Sequence, residues 1–427
     1  MHEKKIQSIE NKLISIAEEM ICVPGHSNAG QKIIGSTIAT SSFSLTSVGD
    51  SLRNDLEKAT LYSEWQDKYS EKFIETRISE ILSRVAECRD TSSIPLEIRE
   101  LVSEYENHKT EYLVVLPLVG VTVDETLKLG QASLRRYDQI VLDSFETKCR
   151  SVINQANIQT EDSRAKLVED FRKNHLNKLL YRTCSEVSVQ AESIRAREIA
   201  LEKTNFALDL IRYTILFLYG NGRRRSVGVV GESTGESREY IAISSDARFL
   251  HFGSQTGNQP LCVNNRIRVA MEEIGVYELA ELGLNQQATE FEKVILLAVH
   301  WLASAQTQME RANSLLNLVT CLETLFKTES GAPITATIAE GVAVLTVHTP
   351  EERKQRKSRV TYFYGLRSKL THNGVGAVTG ADLDELTLIC RDLTLLMIRN
   401  RSKFKKHQDF KLWLDEQKHG AVVRFPD

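Results

Sequence analysis

Proline is scarce in this chain, with seven among 427 residues, and glycine numbers only twenty-two. So few helix breakers leave long stretches free to coil. The cysteines (Cys22, Cys88, Cys149, Cys184, Cys262, Cys321 and Cys390) are odd in number, widely spaced and without any C-x-x-C. That pattern argues against a disulfide framework or a structural zinc site and fits a reducing compartment. The sequence calls for no metal and no cofactor. Strong charge of either sign is also missing, the formal net charge being −3. No global field therefore draws the protein onto a polyanion, and a nucleic-acid partner needs a local patch. Long hydrophobic runs are lacking too. The greasiest are YLVVLPLVGVTV (112–123) and ILFLYG (215–220). Both fall short of a membrane span, which needs roughly 20 residues. The opening MHEKKIQSIENK has no apolar signal core. These absences predict a soluble cytoplasmic protein with no membrane contact.

What is present is helical periodicity, interrupted twice. Residues 3–23 place Ile6, Ile9, Leu13, Ile16 and Met20 at three- and four-residue spacing. A Ser/Thr/Gly-rich stretch follows at 25–49, a loop or short strands with flexible connections, then a helical pattern from about 50 to 88 and another helix at 95–108. YLVVLPLVGVTV reads as a strand, with a second short strand near LGQASLRRY. Residues 137–219 read as helical again. A second island, 226–266, predicts three short antiparallel strands in SVGVVGES, REYIAIS and ARFLHFGS. From 287 onward helices dominate. The expected fold is mainly α: a C-terminal antiparallel helical bundle at 286–427, preceded by an α+β region at 1–285 with short antiparallel strands. The expected boundary lies near 285, with a sub-boundary near 110–136.

The bundle reads as four helices, at 288–307, 309–327, 351–372 and 381–402, with apolar stripes and short loops. The third ends in chemistry. Arg367, Lys369 and His372 cluster within six residues, and Asn373-Gly374 supplies a left-handed stop. At a helix C-terminus the dipole favours imidazolium, while Arg367 and Lys369 oppose it. That competition suits a group for general acid–base work. Arg367 and His372 are five residues apart, about 500° of rotation, and so stand ~140° apart on the helix. They converge on one phosphate through the reach of Arg367, or line a groove that a second subunit completes. In metal-free RNA hydrolysis a 2′-hydroxyl attacks phosphorus; a histidine moves the proton and a guanidinium stabilises the phosphorane. Arg401 and His407 offer a second such spacing, but in a charge-rich tail that reads as a solvated face.

The order A-x-x-W around Trp301, then CLETLF, a basic linker, FYGLRSKLTHNG and a last long helix resembles the HEPN superfamily (higher eukaryotes and prokaryotes nucleotide-binding). Within it, the likeness is to ApeA-like HEPN domains of prokaryotic antiviral and toxin-like proteins, and it covers residues 287–402. The resemblance implies a helical domain that dimerises to form a metal-independent ribonuclease site. Arg367 and His372 match the catalytic pair, with Ser368, Lys369 and Asn373 beside them for RNA. Homodimerisation and a regulatory protein or phage-derived trigger are the partners implied, with residues 1–285 as sensor. Two positions depart from the pattern: Ser368 stands where Asn, Asp or His often follows the Arg, and Asn373 separates His from Gly. They sustain the alternative of a catalytically inactive RNA- or nucleotide-binding scaffold.

Other features have plainer readings. The basic run Arg353–Arg359 suits RNA phosphates or a solvated helix start. Arg223, Arg224 and Arg225 suit a second phosphate contact or, sooner, the cations that a helix C-terminus attracts. GVVGESTGES lacks the lysine of a phosphate loop. Glu323 suits positioning of the catalytic Arg or His but reads sooner as a surface glutamate, His300 reads as a packed histidine, Trp301, Phe326, Tyr362 and Phe363 as bundle core, and Tyr364 as core sooner than as a base-stacking ring.

Overall fold

The computed structural model describes residues 3–22, 65–88, 90–108, 110–155, 160–220, 227–232, 238–243, 250–255, 260–308, 310–326, 334–373, 376–418, 423 and 425. Among them the chain is mainly helical with a small antiparallel sheet, as its composition predicts. No helix among these residues is long and apolar enough to cross a membrane. The chain divides into two compact units, residues 1–114 with 188–200 and residues 115–187 with 201–427. The turn near 285 lies within the second unit, between two of its helices.

The first unit contains α1 (Glu3–Cys22), α2 (Glu71–Cys88) and α3 (Ile94–Glu106), which pack on one another. Leu13, Ile74, Ile94, Ile98, Trp65 and Tyr69 are at its core. The helical pattern read across 50–88 is broken: residues 66–70 form a turn before α2. Trp65 and Tyr69 sustained the period because both are core residues, joined by a single turn in which the Tyr69 amide donates to the Trp65 carbonyl at 2.8 Å. The loop expected at 25–49 lies outside the described residues.

The second unit holds most of the sheet. Strands β1 (Glu111–Val119), β3 (Leu127–Leu129), β4 (Ala132–Arg136), β5 (Thr183–Gln190) and β6 (Gly228–Val229) are ordered β3-β4-β5-β1-β6. Strand β2 (Val121–Val123) pairs in parallel with β9 (Leu261–Val263), and β7 (Arg238–Ile243) pairs antiparallel with β8 (Leu250–Gln255). The second island is therefore not one three-stranded sheet; β6 joins β1, β9 joins β2, and only β7 and β8 form a hairpin. The helical reading of 137–219 holds for α4 (Gln139–Gln155), α5 (Glu161–Asn174) and α6 (Ser193–Tyr219) but misses β5. Thr183, Ser185, Val187 and Val189 of β5 alternate in strand fashion, and charged helical faces on either side hid that short run. Residues 207–216 of α6 are all buried, so this stretch is enclosed on every side.

After α7 (Asn265–Glu273) and α8 (Val276–Leu282) come the C-terminal helices. These are α9 (Glu290–Thr307), α10 (Arg311–Phe326), α11 (Ile334–Thr346), α12 (Pro350–Asn373), α13 (Gly380–Arg399) and α14 (His407–Gln417). The four expected helices are α9, α10, α12 and α13. Helix α9 starts on a capping box. In it Thr289 Oγ1 accepts from the Glu292 amide at 3.2 Å, and Glu292 accepts from the Thr289 amide at 2.8 Å. Helix α13 starts on the same device, with Thr379 and Asp382. Helix α10 packs on α9, α12 and α13 and is thus the neighbour those three share.

Two helices exceed the expectation. Helix α11 is rich in Ile, Val and Thr, residues whose stiff side chains favour strands. Burial overrides that preference, since Ile338, Val342 and Val344 are all enclosed. Gly341 lies so close to Phe326 that a Cβ there would come within 2.7 Å of the ring. Helix α14 occupies the tail that reads as solvated. Its His407 is 4% exposed, with Nε2 2.7 Å from the Leu325 carbonyl, in a cluster with Phe291, Phe404, Phe410 and Trp413. His407 is a core residue, which removes the rival pair with Arg401.

Candidate active site at the end of α12

Helix α12 begins on a third cap. Here Thr349 Oγ1 accepts from the Glu352 amide at 3.3 Å. The basic run behind it is mostly engaged within the protein. Lys357 meets Glu340 at 2.7 Å, Arg359 meets Glu385 at 2.7 Å and Asp382 at 3.2 Å, and Arg356 reaches Glu385 at 3.9 Å. This run therefore staples α12 to α11 and α13 as much as it presents charge outward. Phe363 is fully buried as expected, but Tyr362 is 41% exposed and lies under the Arg359 guanidinium, not in the core.

The outer face of α12 carries Ser358, Thr361, Gly365, Ser368 and His372, all exposed and spaced alternately three and four residues apart. Side chains on this stripe are small until His372. A Cβ added at Gly365 would meet nothing within 4 Å. Lys369 is exposed beside it. Asn373 is the last residue of the helix, as expected from the Asn-Gly stop. Its side chain and Gly374 lie outside the described residues.

Arg367 points to a different neighbour. Its Nη2 lies 3.6 Å from Oε1 of Glu323 on α10, with the two side chains 41% and 29% exposed. Glu323 of the LETLF element thus faces the candidate arginine, the less favoured of the two expectations for it, and is not a free surface glutamate. Among the described residues no hydrogen bond or ion pair joins Arg367 to His372, in keeping with the angle between them. One turn before Arg367, Tyr364 is buried, and its hydroxyl has no hydrogen-bond partner among the described residues. Burial above all, with the negative charge of Glu323, raises the pKa of this phenol against the opposing pull of Arg367.

A second histidine is better supported than the first. His300 Nδ1 on α9 lies 2.7 Å from Oδ2 of Asp209 on α6. Asp209 is buried, and its Oδ1 accepts from Nη1 of buried Arg212 at 2.6 Å. Arg212 in turn donates from Nε and Nη2 to the Val227 carbonyl at 3.2 and 2.8 Å. The imidazole side chain is 50% exposed, so His300 is not the packed residue its apolar flank suggests. Its hydrogen bond to Asp209 raises its pKa from the ordinary 6.5, against the lowering by burial. Asp209 and His300 are 91 residues apart, a separation that no local pattern reports.

Other clusters hold less. An open depression of about 580 Å³ is lined by Asp124, Glu125, Arg135, Arg136 and Asp138, whose charges offset one another. No group of three or more His, Cys, Asp or Glu among the described residues is placed to hold a metal ion. Arg223, Arg224 and Arg225 lie outside those residues. Comparison of the chain with known protein families, characterised proteins and solved structures finds no match.

Proposed function

We propose that this protein is a metal-independent RNA endonuclease whose site is the end of α12. The observation that carries the reading is the meeting there of two different environments. Arg367 is held from one side by Glu323, while His372 stands exposed at the end of a stripe of small residues. In the proposed reaction His372 takes the proton of an RNA 2′-hydroxyl as it attacks the adjacent phosphorus, and returns it to the leaving 5′-oxygen. Arg367 stabilises the charge on the phosphorane oxygens. Ser368, Lys369 and Asn373 hold the flanking RNA backbone.

The angle of ~140° between Arg367 and His372 argues for a homodimer. A second copy packed along Ser358, Thr361, Gly365 and Ser368 would approach closely, because these side chains are small. It would bring its own Arg367 and His372 to the same groove. By analogy of motif, the setting is a cytoplasmic toxin-like effector of prokaryotic antiviral defence. Residues 1–285 would then restrain the nuclease until a regulatory protein or phage-derived trigger engages them.

The test is cleavage of mixed RNA in EDTA by the wild type, Arg367→Ala and His372→Ala. Loss of cleavage in both variants, with folding intact, is the expected result; equal cleavage by all three removes the assignment. A scaffold that binds RNA or nucleotides without cutting is the second reading, favoured by the engagement of Arg367 with Glu323. RNA affinity without cleavage under any trigger would select it.

A further inference from the structure

We infer that the segment from Arg399 to Lys411, which joins α13 to α14, is a contact surface for the phosphate backbone of RNA, separate from the end of α12. It rests on RNA being the ligand of the site proposed above. The first observation is charge. These residues carry six basic side chains (Arg399, Arg401, Lys403, Lys405, Lys406 and Lys411) and one acid, Asp409, in a chain whose formal net charge is −3. A polyanion needs a local patch on such a protein, and this segment supplies one.

The second observation is that these cations are uncommitted. The basic run of α12 is tied to Glu340, Asp382 and Glu385. Among the described residues none of the six cations from Arg399 to Lys411 meets a carboxylate. Arg401 donates to the Ile398 carbonyl at 3.2 Å. Asp409 is turned back onto the start of α14, where it accepts from the Lys406 amide at 3.1 Å.

Third, the backbone beneath them is fixed, unlike that of a solvated tail. Phe404, His407 and Phe410 are buried at three-residue spacing, which leaves Lys403, Lys405 and Lys406 exposed between them. The Lys405 carbonyl accepts from the Phe291 amide at the start of α9, at 3.2 Å. His407 Nε2 lies 2.7 Å from the Leu325 carbonyl. Phosphates therefore meet a row of charges whose backbone is already ordered. The same contacts locate the surface. Leu325 stands two residues after Glu323, the neighbour of Arg367, so α12 and the basic segment both meet α10 in its last turn. A helix is about 10–12 Å across, a distance that a few nucleotides cover. Lysine contacts to phosphate fix register and carry no sequence preference, which leaves the choice of cleavage position to the groove at Arg367 and His372.

The experiment measures affinity for a single-stranded 2′-O-methyl RNA oligonucleotide, which the proposed reaction cannot cleave, across about 50–200 mM salt. Wild type is compared with a triple variant, Lys403→Gln, Lys405→Gln and Lys406→Gln, and with the same three lysines changed to arginine. A control triple changes Lys12, Lys72 and Lys166, exposed elsewhere, to glutamine. The first triple is expected to bind roughly tenfold or more weakly at the lowest salt. Its slope of log affinity against log salt should shrink by about 2, at about 0.7 per lost phosphate contact. The arginine triple and the control should bind as wild type does, and all four proteins should share one unfolding midpoint. An unchanged slope in the first triple, or an equal loss in the control or the arginine triple, overturns the surface. Wild-type binding to phosphatidylserine vesicles with no RNA affinity overturns it together with the nuclease. Equal cleavage of natural RNA by wild type and the first triple, in EDTA at subsaturating RNA, overturns the surface and leaves the nuclease standing. The expected change of slope without any cleavage overturns the nuclease and leaves the surface standing.

Discussion

His372 and His300 lie in the same unit and differ in almost every physical respect. His372 belongs to a dense local motif, yet it stands exposed and no carboxylate pairs with it among the described residues. His300 has no motif, yet a buried aspartate orients its ring, and a buried arginine anchors that aspartate. The difference teaches that local spacing and tertiary support are separate properties. A histidine meant to act on a ligand shared with a second copy needs exposure. A histidine that ties helices together needs a fixed partner.

The largest expected effect lies in catalysis. Under the proposed function, His372→Ala lowers RNA cleavage by about 10²–10⁴-fold, the usual worth of a positioned proton-transfer group. His300→Ala leaves it within a few-fold. A reversal of that order in the same EDTA assay would break the comparison and move the site to α9. Next comes stability. Asp209→Ala strands the Arg212 charge in the interior and is expected to cost about 3–5 kcal/mol, measured by denaturant unfolding. His372→Ala, at an exposed position, should stay within about 0.5 kcal/mol. Similar losses for the two would show that the buried network carries no more than the exposed helix end.

The smallest effect is a dependence on pH. The folded pKa of His300 is raised above its unfolded value by Asp209. Its contribution to stability is therefore fully present below the unfolded pKa of about 6.5 and is lost as pH rises through the higher folded value. The imidazole is half exposed, so the change should be modest. Unfolding midpoints across about pH 5–8 should fall less steeply in His300→Gln than in the wild type. Parallel curves would detach His300 from the network.

Helices announced themselves wherever an apolar stripe ran unbroken, as in α1, α9, α10 and α13. The failures share one cause. Strand β5 is a short run between charged helices, and α11 is a β-branched segment that burial makes helical. The turn at 66–70 is masked by Trp65 and Tyr69, which keep a helical period while serving a core built from α1, α2 and α3. Periodicity reports which residues face inward; it does not report which backbone carries them there.

For the candidate site, the residues at the end of α12 and the angle between Arg367 and His372 follow from the sequence alone, because helix geometry is local. The exposure of the stripe from Ser358 to His372 depends on which neighbours α12 acquires. Only the tertiary structure set Glu323 against Arg367, left the Tyr364 hydroxyl without a partner among the described residues, and buried His407. The same holds for Asp209 and His300, joined across 91 residues. Contacts of that kind arise when separate helices pack, and a chain read in order carries no signal of which faces will meet.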